Sequence, residues 1–123
     1  VVLRYWGDRM SVPQLPKSML VHSIIYEQYA GRNKYGDHDY EPPVTIENVR
    51  FDDATVFSRD ATDTKILANA VIFVDAKNSK NVPERFIEQS KITFKNKTYT
   101  LKKVVDCYHP FKNEVHHYEL EVI

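Results

Sequence analysis

Polar and apolar residues alternate most regularly at the end of the chain. Over residues 114–123, His116, Tyr118, Leu120 and Val122 fall on one side and His117, Glu119 and Glu121 on the other. A period of two marks a half-buried antiparallel strand. Just upstream, Ile92-Thr93-Phe94 leads through Lys95-Asn96-Lys97 into Tyr99-Thr100-Leu101. That pattern predicts a hairpin in which Ile92 and Phe94 face Tyr99 and Leu101 across the strands. Asn96-Lys97 is a weaker turn signal than Asn-Gly, but it supports the positive φ of a tight turn. Val104-Val105 follows, and His109-Pro110 breaks the run before the last strand.

The earlier part of the chain is less regular. Residues 19–26 are apolar and β-branched and predict a first long strand. Residues 28–43 contain Gly31, Gly36, Asp37, Asp39, Pro42 and Pro43 among Tyr29, Tyr35 and Tyr40, which predicts a long loop. Residues 44–51 alternate with one slip of phase, and a β-bulge would explain the slip. Residues 52–64 are polar except for Val56-Phe57 and form a second connection. Residues 66–74 are the most apolar run and predict a central strand buried on both faces. Residues 82–89 give the one helical signal, about two turns long, with Pro83 at the first position and Glu84 complementing the helix dipole. The expected fold is mainly all-β: a small antiparallel β-barrel or sandwich with one short helix and a long loop.

Length adds that residues 15–123 form a single domain, near the usual domain size, after an N-terminal extension over residues 1–14. Met10-Ser11 resembles a natural start, and codons for Trp6-Gly7-Asp8 can carry a ribosome-binding sequence. Residues 1–9 are thus either translated from an early start codon or ordinary residues. Seventeen basic and seventeen acidic residues cancel, which removes any general attraction to nucleic acid or to an acidic membrane. Cys107 is the single cysteine, so no disulfide forms within the chain, and a thiol in a reducing compartment is expected. No apolar run approaches the roughly 20 residues that span a bilayer, and no signal-peptide pattern is present, so a soluble, unexported protein is expected.

Candidate chemistry is sparse. Cys107, His109, His116 and His117 lie close in sequence, and zinc needs three or four such ligands converging on one point. Adjacent strand residues point to opposite faces, so His116 and His117 are expected to diverge, one toward the core and one toward solvent. Asp37-His38-Asp39, Asp52-Asp53 and Asp60 sit in polar connections where charge is expected anyway. There is no phosphate loop, nucleophile elbow or dinucleotide fingerprint. Lys91, Lys95, Lys97, Lys102 and Lys103 make the 92–101 hairpin basic, which reads as a solvated face blunting an edge strand, with a single-stranded nucleic-acid groove as the alternative. The tyrosine-rich segment 28–43 is the best interaction candidate, because tyrosine is enriched at protein interfaces. No enzyme, cofactor or metal is expected.

Several strings carry a resemblance. They are Phe57-Ser58-Arg59-Asp60, Ala68-Asn69-Ala70-Val71-Ile72-Phe73-Val74-Asp75-Ala76, Glu88-Gln89-Ser90-Lys91-Ile92-Thr93-Phe94 and Lys97-Thr98-Tyr99-Thr100-Leu101. Val104-Val105, Cys107-Tyr108, Pro110-Phe111 and Asn113-Glu114-Val115-His116-His117-Tyr118-Glu119-Leu120-Glu121-Val122 continue it. Leu15-Pro16-Lys17 and Ile46-Glu47-Asn48-Val49-Arg50 fit more loosely. Together they resemble the minor capsid protein family of tailed phages and prophages of Gram-positive bacteria, over residues 15–123. The order of the closing strands also looks like the head-closure, or stopper, proteins of long-tailed phages. The resemblance implies a virion structural protein of the neck, made in the host cytoplasm. Such a subunit forms a ring with copies of itself between the portal or adaptor ring and the tail-completion protein, retains packaged DNA and takes no small-molecule substrate. A tail-completion subunit and a nucleic-acid-binding β-barrel are the alternatives. With that role, the expected interface residues are Tyr29, Tyr35, Asp37 and Tyr40 in the first connection and Phe57, Arg59 and Asp60 in the second.

Overall fold

The computed structural model describes residues 13–57 and 66–123. Ten strands and no helix occur among them: β1 (His22–Glu27), β2 (Tyr29–Arg32), β3 (His38–Tyr40), β4 (Val44–Asp52), β5 (Val56–Phe57), β6 (Ile66–Ala68), β7 (Ala70–Asp75), β8 (Lys91–Phe94), β9 (Lys97–Tyr108) and β10 (Val115–Val122). Six of them close into a barrel in the order β1-β4-β7-β10-β9-β8, and every neighbouring pair is antiparallel. Closure removes the sheet edges that would otherwise invite pairing with other chains. β8 is therefore paired on both sides, and the lysine-rich hairpin does not shield an edge.

Alternation fills the interior. Ile24 and Tyr26 from β1, Ile46 and Val49 from β4, Ile72 and Val74 from β7, Ile92 from β8, Leu101 from β9, and Leu120 and Val122 from β10 are all buried. A six-stranded barrel is narrow enough for side chains to pack across it, so the core is solid. Both ends are closed by aromatic rings. At the lower end, where β4, β8 and β10 finish, Phe51 stacks on Phe94 at 4.2 Å and lies 5.3 Å from Tyr99. At the upper end, Phe86 packs edge-on against Tyr26 and Tyr118, at 5.4 and 5.3 Å between centroids.

That upper plug explains the missing helix. Residues 82–89 follow an irregular course with a bend at residues 84–85 and a turn at residues 88–89, not a helix. Their donors go elsewhere: the Ile87 N–H to the Tyr26 hydroxyl and the Gln89 N–H to the Leu101 carbonyl. A helix of about two turns is marginal in isolation. Here it loses to a course that buries Phe86 and hydrogen-bonds the segment to the barrel rim.

Three bulges within the barrel set the remaining details. The slip of phase in β4 is Asn48, an extra residue between the His22–Val49 and Ser23–Glu47 pairs, with φ 58°. Its carbonyl accepts from the Ser79 hydroxyl, tying β4 to the turn after β7. Lys102 is an extra residue in β9, between the Leu101–Val122 and Lys103–Glu121 pairs. The bulge shifts the inward phase from Leu101 to Val104, so what reads as a hairpin strand followed by a separate Val-Val segment is one strand of 12 residues. His116 is the third, extra in β10 between the Val115–Tyr108 and His117–Cys107 pairs. Other expectations shift less. Residues 16–20 turn before β1 instead of extending it, and the apolar run is split at Asn69 into β6 and β7. On β7, Val71 and Phe73 are only half-buried, so one face is packed more tightly than the other.

The two-residue turn between β8 and β9 places both Lys95 (φ 48°) and Asn96 (φ 65°) in the left-handed region. Lysine is a poor choice there, since asparagine and glycine take that conformation more readily. The double substitution Lys95→Asn with Asn96→Gly is expected to raise stability by about 0.5–1 kcal/mol, seen as a thermal midpoint a few degrees higher. An unchanged or lower midpoint would contradict the turn geometry.

Candidate functional site

Because the barrel strands alternate in direction, each connection has a definite end. β1 rises into β4 at the upper end, and β4 passes to β7 at the lower end. The first connection carries the β2–β3 hairpin and the second the β5–β6 hairpin, each a separate two-stranded sheet. Two small arms therefore leave opposite ends of one barrel.

The upper arm is an ordered hairpin and not an irregular loop. Tyr29 pairs with Tyr40 across it, their rings 6.0 Å apart. The Tyr29 hydroxyl lies 2.9 Å from His38 Nδ1. At the base, the Tyr29 N–H donates to the Ser90 hydroxyl and the Glu41 N–H to the Gln28 carbonyl. Lys91 places its ammonium 4.5 Å from the centre of the Tyr40 ring, a cation–π contact. Tyr29 and Tyr40 are thus committed largely to holding the arm together. At the tip, Asn33 Oδ1 accepts from the N–H groups of Tyr35 and Asp37, and Gly36 takes φ 85°. Tyr35 stands out 77% exposed, with Asp37 exposed beside it. Of the four residues expected in this segment, Tyr35 and Asp37 are displayed, and Tyr29 and Tyr40 are internal supports.

On the lower arm, Phe57 is 53% exposed. Arg59 and Asp60 lie outside the described residues. Sequence reasoning missed several displayed apolar residues. Tyr108 and Phe111 flank the β9–β10 connection at the upper end. Met19, Val21, Ile25 and Val44 lie on or beside the β1–β4 pair and are also exposed. Ile25 could have been found as an apolar residue out of phase with buried Ile24 and Tyr26, whereas Val44 shares the inward phase of Ile46 and is exposed as the first residue of β4.

An open groove of about 540 Å³ runs beside the Phe86 plug, lined by Glu84, Arg85, Glu88 and Asp106 over Tyr118. It joins no nucleophile to a general base among the described residues. On the outer face of β9 and β10, the Cys107 thiol donates to Glu119 Oε2 at 3.1 Å. Burial first, then the hydrogen bond and charge of Glu119 and the charge of Asp106, push the thiol pKa up to about 11. The expectation that His116 and His117 diverge is corrected: their Nδ1 atoms lie 2.8 Å apart. The bulge at His116 re-aims one ring toward the other, which simple alternation does not allow. His117 is held below the ordinary histidine pKa by burial and by His116, so its neutral form is favoured.

No curated protein and no solved structure matches the chain significantly. A family model described as "Minor capsid protein" matches residues 16–122. That span takes in the whole barrel, from the turn before β1 to the end of β10, together with both arms. An all-β scaffold that displays aromatic residues suits a structural component of a virion, and the chain belongs to the minor capsid protein family.

Proposed function

We propose that this protein is a ring-forming subunit of the joint between head and tail of a tailed phage, completing the head after DNA packaging. The observation that carries the reading is the pair of arms at opposite ends of the barrel, one displaying Tyr35 and the other Phe57. A subunit between a portal or adaptor ring and a tail-completion protein must contact different neighbours above and below. A ring also needs two unlike complementary faces on each monomer. Arms at both ends and displayed apolar residues on the β1–β4 wall offer such a set of surfaces. The barrel interior is filled with side chains, so any passage for DNA would be the hole of the assembled ring. The balanced charge of 17 basic and 17 acidic residues favours this role over a nucleic-acid-binding barrel, which would be expected to carry a basic surplus.

Electron microscopy of particles from a phage lacking the gene tests the role. Empty, tailless capsids beside complete free tails are expected, because packaged DNA leaks from an unclosed head. Filled heads beside defective tails would move the subunit to the tail side, as a tail-completion protein. Normal infectious particles would overturn the structural role at this joint.

A further inference from the structure

Cys107, His117 and Glu119 come from two neighbouring strands. Cys107 on β9 is the direct partner of His117 on β10, and Glu119, two residues on, shares the His117 face. One ligand atom from each, the Cys107 sulfur, a His117 ring nitrogen and a Glu119 carboxylate oxygen, lies within 4.8 Å of the other two. All three residues are half-buried: held by the sheet, yet open to solvent on one side.

The hydrogen bonds around His117 are compatible with a metal-binding tautomer. His116 Nε2 lies 2.8 Å from the Pro13 carbonyl, which can only accept, so Nε2 carries the proton. When the remaining His116 nitrogen, Nδ1, acts as the acceptor, the proton shared at 2.8 Å belongs to His117 Nδ1. In that arrangement His117 Nε2 keeps a lone pair for a cation. A metal-binding histidine characteristically donates its other N–H to a fixed partner, and His116 supplies that partner here. The thiol is flanked by the carboxylates of Glu119 and Asp106, a local negative field that a cation would relieve.

We propose that Cys107, His117 and Glu119 bind one divalent cation of zinc-like character, with His116 as the outer residue that orients His117. Mixed sulfur, imidazole and carboxylate ligation suits zinc, and three protein ligands leave a fourth tetrahedral position for water. Binding would displace the thiol proton to solvent and replace the Cys107–Glu119 hydrogen bond with two bonds to the ion. The site would pin β9 to β10 beside the lead-in at Pro13, independently of any role in the virion.

Cobalt(II) is the probe, added to the reduced protein after chelator treatment. A thiolate-to-cobalt charge-transfer band should appear, saturate at one ion per chain and disappear on addition of zinc. Cys107→Ser should abolish the band, and Glu119→Gln should weaken binding. His116→Phe keeps all three ligands but removes the orienting acceptor, and should weaken affinity about 10–100-fold. Melting curves of the metal-free variants establish that each is folded. The proposal is overturned if cobalt gives no charge-transfer band, or if folded Cys107→Ser binds it as tightly as the parent chain.

Discussion

Asp75→Ala is expected to cost about 3–5 kcal/mol, a large part of the roughly 5–15 kcal/mol that holds a domain together. Asp75 ends β7 and is fully buried. Its Oδ1 accepts from the Leu15 N–H at 2.9 Å, and its Oδ2 from the Lys77 and Asn78 N–H groups at 2.9 and 2.7 Å. Gln14 Nε2 reaches both oxygens at 3.1 Å and also the His116 carbonyl. One carboxylate therefore shapes the turn after β7 and straps residues 14–15 across the upper end. Alanine would leave three backbone donors without that partner, at about 1–3 kcal/mol for each that water cannot reach. Asn would restore only one acceptor and set its amide against donors, so Asp75→Asn should recover less than half of the loss. Urea unfolding reads both changes as a lower midpoint at unchanged slope.

The same residue gives a pH dependence with a definite sign. Burial works to raise its pKa, but the hydrogen bonds from Asn78, Gln14, Lys77 and Leu15 together prevail and hold it below the ordinary carboxylate value. A group with a depressed folded pKa stabilises the fold above its unfolded pKa and loses that contribution as pH falls through the folded value. The parent chain should therefore lose stability below about pH 4, while Asp75→Asn lacks that component. Equal urea midpoints for parent and variant at neutral pH would show that the network is not a structural anchor.

Much of the barrel is legible in the sequence because inward positions repeat every second residue. Tyr118, Leu120 and Val122 turn inward or pack on the core, as their alternation implies. The slip in residues 44–51 is a bulge, and its extra residue is Asn48, one of the residue types that tolerates a left-handed backbone. What alternation could not reveal depends on contacts far apart in the chain. Phe86 leaves the helical course because Tyr26 and Tyr118 offer it a closed site, and neither is near it in sequence. Cys107 and His117 meet only once the β9–β10 register is known, and the His116 bulge that sets that register carries no glycine or proline to announce it. The connection at residues 28–43 reads as a loop because its glycines, prolines and aspartates are turn formers. Its pairing rests instead on Tyr29 facing Tyr40, a match visible only after the chain has doubled back.

Tyr35→Asp is expected to leave the fold intact while greatly reducing the ability of the protein to complete phage particles. The tip backbone is shaped by the Asn33 side chain and by Gly36, and the Tyr35 ring makes one cation–π contact among the described residues, with Lys34 at 5.1 Å. Stability should therefore stay within about 0.5 kcal/mol of the parent. Binding is different under the proposed role. An exposed tyrosine on a rigid turn presents a large surface at little entropic cost, and such residues are frequent hot spots worth about 2 kcal/mol or more. A loss of about 2 kcal/mol lowers the affinity of one contact roughly thirtyfold, and a ring repeats the contact in every subunit. An Asp buried at such a contact would add an uncompensated charge. Phe57→Asp, on the arm at the other end, provides the comparison. If the arms serve different neighbours, the two variants should stop assembly at different stages, one before and one after the protein joins the head. Complementation of a phage lacking the gene measures both. Parental titres with folded Tyr35→Asp would remove the upper arm from the interface and leave Phe57 and the β1–β4 wall as the surfaces to test.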